Sequence, residues 1–148
     1  MQATKFEIPL LIRWSDLDPN YHVRHSVYYD FGAQCRIQGF FKYGLSAEIM
    51  TENNLGPILF REEAIFRREL RFKDDLKIDL KITKLRRDGS RFSFQHIIRR
   101  GEELCAIITV DCAWMDTQKR KLTVPPVIAF NALDEMPKAE DFQWDDPK

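Results

Sequence analysis

The spacing of apolar residues changes once along this chain, near Gly56, and that change limits the folds open to it. From Ser26 to Tyr43 apolar residues recur every three or four positions, which predicts one long helix with Ser26 as N-cap and Gly44 past its end. From Leu76 to Thr83 apolar and polar residues alternate, which predicts a half-buried strand. One early helix in a chain of strands is typical of an α+β domain with the helix on one face of an antiparallel sheet.

Further strands are predicted on both sides of this alternating run. Ile58 to Phe72 can form one long strand, and Cys105 to Met115 is apolar enough for a central strand covered on both faces. From Phe92 to Ile98 apolar and polar residues also alternate, which predicts a further strand after a tight hairpin turn at Asp88-Gly89. Lys5 to Trp14 predicts a first strand, which its single proline places at a sheet edge. The last four predicted strands are consecutive, so we expect a meander.

Two glycines lie inside the predicted helix, about two turns apart on one face. Each of Gly32 and Gly39 costs about 1 kcal/mol of helix propensity relative to alanine. We therefore expect another backbone to approach the helix closely along this face.

The end of the chain carries weaker signals. Pro125-Pro126 ends regular structure, and the acidic stretch from Leu133 to Lys148 is expected to be loosely ordered. We see no internal repeat and no second core. Residues 1–148 are therefore expected to form a single domain, with its core in about residues 5–125 and an irregular C-terminal tail.

Composition narrows the classes of partner and compartment. The chain has 23 basic and 23 acidic residues and no basic run, so nothing predicts binding to nucleic acid. A net charge of zero and open sheet edges favour an obligate homodimer, with a tetramer as the alternative assembly. Three cysteines without a Cys-x-x-Cys pair are typical of buried free thiols in a reducing cytosol. No apolar run has the length of a signal peptide or a membrane span, so we expect a cytoplasmic protein without membrane insertion.

Two carboxylates and two imidazoles lie between Asp16 and His25, just before the predicted helix. These side chains transfer protons near neutral pH, and a helix N-terminus stabilises negative charge, so the cluster is a candidate active site. Other interpretations are open. Asp18 begins a good turn sequence, and Asp16 is better suited to fixing the loop through hydrogen bonds. A metal site is a third interpretation, although Asp-x-Asp and His-x-x-His are weak signals.

Other residues near the cluster are candidates for ligand contact. Tyr28 and Tyr29 occupy the first helical turn, where one can face the core and the other the site. Several arginines beside predicted strands are expected mostly to form a solvated face, while a few could hold the phosphates of an anionic ligand. These arginines are Arg61, Arg67, Arg68, Arg71, Arg86, Arg87 and Arg91.

The residues before the helix resemble a known family through the pattern Arg13-x-x-Asp16-x-Asp18-x-x-x-His22-Val23-x-x-x-x-Tyr28. The pattern is similar to that of hot-dog-fold thioesterases of the 4-hydroxybenzoyl-CoA thioesterase type. The similarity extends over about residues 5–125, including the Arg87-Asp88-Gly89-Ser90 hairpin and the exit at Val124-Pro125-Pro126. The resemblance implies a hot-dog fold, in which an antiparallel sheet wraps around one long central helix, and an acyl-CoA thioesterase activity.

The resemblance also implies roles for the cluster. Asp18 matches the acid that acts as nucleophile or general base in the family. His25 and His22 each match a histidine of a different subgroup, and Arg24 stands where an asparagine is common, so which histidine is catalytic stays open. Backbone amides around His25 and Ser26 match the family's oxyanion donors. No cofactor and no metal are implied, since CoA is part of the substrate.

The residues support a mechanism of this kind. Amides at the helix N-terminus would polarise a thioester carbonyl, at about 3–4 kcal/mol for each well-placed donor. Asp18 would attack the carbonyl or deprotonate a water, and a histidine would orient the water or thioester. We expect Ser26, Tyr28 and Tyr29 to contribute to oxyanion and substrate binding.

Two other functions remain open for the same sequence. One is a hot-dog hydratase or dehydratase acting on 3-hydroxyacyl thioesters, whose histidine motif is not found here. The other is a non-catalytic module that binds acyl thioesters or a small hydrophobe. The length and aromaticity of the acyl group depend on side chains such as Phe31, Phe60 and Phe66. The choice between CoA and acyl carrier protein is likewise open.

Overall fold

The protein was analysed as a computed structural model that describes residues 5–146, so the ends of the expected domain, residues 1–4 and 147–148, lie outside it. Three α-helices, one 3-10 turn (Trp14–Asp16) and eight strands form the described part. In chain order the α-helices and strands are β1 (Glu7–Leu10), α1 (Val27–Lys42), α2 (Ala47–Glu52), β2 (Leu55–Phe66), β3 (Leu76–Asp79), β4 (Lys81–Leu85), β5 (Arg91–Arg100), β6 (Glu103–Asp116), β7 (Lys121–Leu122), α3 (Val127–Glu135) and β8 (Lys138–Trp144). None of these helices is long and apolar enough to cross a membrane.

The strands form one sheet against which α1 packs. Across the sheet, β2 pairs with β6, and β6 pairs with β5. β3 and β4 lie end to end along the other side of β5. β1 pairs with β3 in the antiparallel sense, whereas β8 pairs with β4 in parallel. One edge of the sheet is therefore β2, and the opposite edge is shared by β1 and β8.

The predicted long helix is confirmed. α1 starts at Val27 directly after Ser26 and ends before Gly44, whose φ of 103° suits a residue without a side chain. A Cβ added to Gly39 would overlap the buried side chain of Leu80, and one added to Gly32 would lie 3.3 Å from Cδ2 of His96. The close approach along this face is thus real, but sheet side chains make it, and not a second backbone as predicted.

The core lies between α1 and the sheet. Four aromatic rings form its centre, with Phe40 of α1 in contact with Phe92, Phe94 and Trp114 of the sheet. Their ring centroids lie 5.6 to 6.3 Å from that of Phe40, and the geometries are tilted or edge-on, as aromatic pairs prefer. This packing fixes α1 across the sheet and so fixes the position of its N-terminus.

Several strand predictions need correction. The first strand is only Glu7–Leu10, although its pairing with β3 alone confirms the edge position. β2 ends at Phe66 instead of Phe72, and it pairs with β6 instead of its neighbour in the chain, so only β4, β5 and β6 form a meander. The alternating run is divided at Leu80, which lies between β3 and β4 and donates its N–H to Phe6 O at 3.1 Å.

The expected irregular C-terminal tail was wrong for the described residues. Helix α3 begins directly after Pro126, and its Ala129 and Leu133 are buried in the main core. Strand β8 then pairs with β4 from Lys138 to Trp144. The chain returns to the sheet because β4 would otherwise expose its outer backbone groups.

Candidate active site

Asp16 is buried at the centre of the loop before α1 and acts as a scaffold. Its carboxylate accepts hydrogen bonds from Arg13, at 2.8 Å from Nη2 and 2.9 Å from the backbone N. Its backbone oxygen accepts from Arg24 N at 2.8 Å, which closes the loop. Burial raises the pKa of Asp16, but the Arg13 hydrogen bonds outweigh it and hold the pKa below its ordinary value. The structural role that the sequence favoured for Asp16 agrees with these contacts.

Asp18 combines a turn role with one free carboxylate oxygen. Its Oδ1 accepts from the N–H groups of Asn20 at 2.8 Å and His22 at 3.0 Å. Within this turn Tyr21 has a φ of 67°, which is rare for a bulky side chain and is held by its N–H bond to Asp18 O. Asp18 Oδ2 has no partner within residues 5–146. One oxygen therefore fixes the turn, while the other is available for chemistry.

The two histidines have different surroundings. Nε2 of His22 lies 3.1 Å from Oε2 of Glu69, and the His22 backbone bridges to Arg71. The side chain of His25 is exposed and contacts no polar group in the described part of the chain. His22 therefore ties the loop to the segment after β2, whereas His25 is free to contact a ligand.

The N-terminus of α1 presents unpaired backbone donors. Val27 N donates to Arg24 O at 3.0 Å, and Tyr28 N donates to His25 O at 3.4 Å. The preceding N–H groups, of His25 and Ser26, donate to no group among residues 5–146, and both residues are exposed. Ser26 occupies the N-cap position as predicted, but its hydroxyl makes no capping bond. Two adjacent free donors at the positive end of a 16-residue helix suit an oxygen that develops negative charge.

The two tyrosines divide as the sequence allowed. Tyr28 is buried with its ring edge-on to Phe66 at 4.8 Å, and burial raises its pKa to about 12. Tyr29 is half-buried. At 3.6 residues per turn, Tyr29 lies on the same face of α1 as Ser26 and Ala33, whereas Tyr28 does not. Tyr28 thus belongs to the core, and Tyr29 is the tyrosine on the face that leads away from the free amides.

A polar cleft of about 630 Å³ lies next to His22 and is lined by four arginines and three acids. They are Arg67, Arg68, Glu69, Arg71, Asp74, Arg100 and Glu103. Most of these arginines are paired with a carboxylate, for example Arg68 with Glu103 at 3.4 Å. The side chain of Arg67 has no partner within residues 5–146. Sequence reasoning singled out three of these arginines but missed Arg100.

Three exposed aromatic rings cover the outside of the same loop. Trp14 lies 6.0 Å from Tyr21 and 5.7 Å from Phe72, measured between ring centroids. Trp14 is 66% exposed, although tryptophan is usually well covered. Nothing in the sequence pattern had grouped these rings, since Phe72 is 51 positions or more from the other two.

The cysteines and the alternative metal site are set apart from this chemistry. Burial raises the pKa of Cys35 and of Cys112 to about 12, so neither is a thiolate near neutral pH. Asp16 is held by Arg13, and His22 points to Glu69. Within residues 5–146, no three His, Cys, Asp or Glu side chains are gathered as metal ligands would be.

A second cavity, of about 170 Å³, lies between α1 and the sheet. Its lining is mostly apolar and comprises Ala33, Arg36, Ile37, Phe40, Pro57, Leu59, Phe92, Phe94 and Cys112. Of the side chains expected to set pocket depth, Phe31 is buried, whereas Phe60 and Phe66 are about half exposed. No sequence pattern placed Arg36 in such a lining, because a charged residue on a helix is usually solvated.

Comparisons with known proteins agree with this architecture. Residues 12–136 match the family model described as the thioesterase-like superfamily. A Staphylococcus aureus protein solved in complex with CoA superposes with a TM-score of 0.83 at 15% identity, over 94% of this chain and 90% of that one. A 1,4-dihydroxy-2-naphthoyl-CoA thioesterase from Synechocystis gives 0.76 at 18% identity, over 88% and 96%. A probable thioesterase from Escherichia coli gives 0.73 at 20% identity, over 90% and 99%. These structures confirm the hot-dog fold, and no curated protein matches the sequence itself.

Proposed function

The chain belongs to the thioesterase-like superfamily, and we propose that it hydrolyses an acyl-CoA thioester to a free carboxylic acid and CoA without a metal or other cofactor. One observation carries the proposal. The loop that holds the unpartnered Oδ2 of Asp18 also holds the two unpaired amides of His25 and Ser26. A nucleophile or base and an oxyanion site therefore belong to one short segment.

The proposed reaction begins with the thioester carbonyl at these amides. Their hydrogen bonds strengthen as the carbonyl oxygen gains negative charge, at about 3–4 kcal/mol for each well-placed donor. Asp18 Oδ2 then either bonds to the carbonyl carbon and expels CoA as a thiolate, or takes a proton from a water that attacks instead. In the first route water cleaves the resulting anhydride, which regenerates the carboxylate and releases the acid. His25 orients the water or thioester, since His22 is engaged by Glu69.

The CoA end of the substrate is assigned to the polar cleft beside His22. Arginines bind phosphate through paired N–H groups, and Arg67 is the cleft cation that no carboxylate in residues 5–146 neutralises. The contact between His22 and Glu69 places this cleft directly next to the loop. A nucleotide held there would leave its thioester close to the N-terminus of α1.

We also propose that the protein works as a homodimer joined along β2. This 12-residue strand pairs only with β6, so its outer backbone groups have no strand partner in the described sheet. Leu59, Phe60, Ile65 and Phe66 of the same strand are exposed. Pairing of two β2 strands would cover both the backbone and these side chains. Sedimentation analysis should show a dimer or a dimer of dimers, and Ile65→Lys should shift it to monomer; a monomeric wild type contradicts the proposal.

The decisive experiment is a thiol-release assay over a panel of acyl-CoAs. Asp18→Asn keeps an oxygen that can accept the Asn20 and His22 amides but removes the carboxylate, so we expect kcat to fall at least about 100-fold with an unchanged unfolding curve. His25→Ala should reduce kcat more than His22→Ala. Asp30→Asn, in the exposed first turn of α1, is the matched control for loss of one charge.

Each alternative has its own outcome in this assay. Near-wild-type hydrolysis by Asp18→Asn would overturn the role of Asp18. Binding of acyl-CoA without any CoA release would indicate a non-catalytic module. Hydration of crotonyl-CoA in place of hydrolysis would indicate a hydratase.

A further inference from the structure

The cavity under α1 contains a buried guanidinium with unused hydrogen-bond donors. Arg36 is only 8% exposed, and its side chain forms part of the cavity wall. Of its five N–H groups, one on Nη1 reaches Nε2 of His96 at 3.1 Å, and Nη2 lies 3.6 Å from Glu62 Oε2. The other three N–H groups have no partner within residues 5–146, and Nε and Nη2 are not among the fully buried side-chain atoms that lack one. They therefore reach accessible space, where the oxygen of a ligand can accept from them.

His96 cannot accept from a further N–H group of Arg36 because its hydrogen bonds are already fixed. Its Nδ1 lies 2.9 Å from the Asp79 carbonyl oxygen, so Nδ1 carries the proton and Nε2 accepts from Arg36. Burial, together with the charge of Arg36, lowers the pKa of His96 to about 3, which keeps the ring neutral. The arginine is therefore anchored on one side, and its remaining donors are directed elsewhere.

A continuous face of α1 connects the free amides to this cavity. Residues three and four positions apart share one face of a helix. The residues of this face, in order, are Ser26, Tyr29, Ala33, Arg36, Ile37 and Phe40. Ala33 is exposed whereas Arg36 and Phe40 are buried, so the face descends from the surface into the cavity. A chain whose carbonyl lies at Ser26 can follow this face inward.

The position of the guanidinium sets the distance along that path. Nη1 of Arg36 lies 3.1 Å from where a Cβ of Gly32 would be, so the charged group is one turn nearer the N-terminus than its own Cα. Gly32 is six residues after Ser26, which is about 9 Å at 1.5 Å per residue. An extended acyl chain spans this distance with roughly seven carbon–carbon bonds, because each bond of about 1.5 Å advances the zigzag chain by only about 1.25 Å.

Glu62 restricts the kind of acceptor. Its carboxylate already faces Arg36 at 3.6 Å, so a second carboxylate in the cavity would be repelled. A neutral oxygen, such as a hydroxyl or keto group, can accept the free N–H groups without that repulsion. The rest of the lining is apolar, and about 170 Å³ is close to the ~150 Å³ of cavities that hold one benzene ring.

We propose that this cavity selects acyl groups of medium length that carry a neutral oxygen acceptor about seven or eight atoms from the thioester carbonyl. Arg36 is the residue that donates hydrogen bonds to this oxygen. The inference rests on the proposed hydrolysis for its biological meaning. Binding to the cavity does not depend on catalysis, so the two can fail separately.

The test compares octanoyl-CoA with 8-hydroxyoctanoyl-CoA, and in parallel the two S-alkyl thioethers of CoA with the same chains, which cannot be hydrolysed. Wild type should favour the hydroxylated member of each pair by about tenfold or more, in kcat/KM and in Kd. Arg36→Met should lose this preference. Absence of all hydrolysis with a retained Kd preference would refute the thioesterase and leave the cavity assignment intact.

A second variant covers the case in which Arg36→Met does not fold. Glu62→Gln keeps the guanidinium and removes the competing carboxylate, so it should gain about tenfold in affinity for a thioether ending in a carboxylate. Glu63→Gln is the matched control, since Glu63 is exposed and bound to Arg61 at 2.9 Å on the same strand. Equal Kd values for the paired thioethers in wild type, or no gain in Glu62→Gln relative to Glu63→Gln, would overturn the proposal.

Discussion

The interface between α1 and the sheet and the loop from Arg13 to Ser26 are built by opposite means. At the interface, Gly39 lets Leu80 reach the helix surface, and aromatic rings fill the space around it. In the loop, hydrogen bonds from backbone amides and from the Arg13 guanidinium to Asp16 and Asp18 fix the chain. The first region depends on shape and apolar area, the second on a few polar atoms.

The difference shows how a small domain can hold reactive groups without weakening its core. Asp16 and Asp18 fix the loop through contacts that are almost all within the loop itself. The loop then meets the rest of the protein through backbone pairing of Val23 with Leu70 and through the pair of His22 with Glu69. Substitutions at the interface should therefore change stability, and substitutions in the loop should change activity.

The largest expected effect comes from the contact between Leu80 and Gly39. Leu80→Ala should cost about 2–5 kcal/mol of unfolding free energy, and Gly39→Ala about 1–3 kcal/mol, because the new methyl group overlaps Leu80. The double variant should lose less than the sum, since removal of Leu80 makes room for the methyl group. Urea unfolding measures all three, with exposed Gln38→Ala as control; additive losses would show that the two sites do not touch in this way.

The buried pair of Arg36 and His96 should make stability fall in acid. The unfolded chain binds a proton at His96 below pH 6.5, whereas the folded chain keeps the ring neutral down to a pKa of about 3. Unfolding therefore takes up one proton between pH 6.5 and a pH of about 3. Over this range the unfolding free energy decreases by up to about 1.4 kcal/mol for each unit by which the pH falls.

Protonation of His96 should therefore lower the unfolding free energy by about 2 kcal/mol between pH 7 and pH 5. His96→Gln can keep both hydrogen bonds but does not titrate, so its unfolding free energy should fall by that much less over the same range. Urea unfolding at both pH values measures the difference. Parallel pH dependence in the two proteins would mean that His96 is not the source.

The smallest effect is expected where the loop meets the arginine cleft. Glu69→Gln removes the partner of His22, but Glu69 is exposed, so the loss of stability should stay below about 1 kcal/mol. Thermal unfolding against Glu63→Gln checks this. A much larger loss would mean that the loop depends on the rest of the protein more than its internal hydrogen bonds indicate.

Local features of the fold were predictable from the sequence, whereas distant pairings were not. α1 follows from the spacing of its apolar residues, and the turn at Asp88-Gly89 from a glycine that tolerates a φ of 80°. The pairing of β2 with β6 joins residues about fifty positions apart, and no local pattern encodes it. Strand β8 was missed because its charged residues lie at a solvated sheet edge. A strand at such an edge can be as rich in charged residues as a disordered tail.

The candidate site shows the same division. The cluster from Asp16 to His25 was visible because reactive side chain types lie close together in the sequence. The separate surroundings of His22 and His25 depend on Glu69, which arrives from the far end of β2. Arg36 was missed because burial of a charge on a helix requires partners from two other strands, Glu62 and His96.

The unequal edges of the sheet limit how many copies can be joined by added strands. On one side, β1 is four residues long and contains Pro9, and β8 exposes Glu140 and Asp141, so a foreign strand finds few bonds and repelling charge. On the other side, β2 is 12 residues long and exposes four large apolar side chains, Leu59, Phe60, Ile65 and Phe66. If β2 pairs with the β2 of a second copy, only the edges that disfavour strand pairing are left. Strand addition would then end at a dimer and would not continue into a fibre.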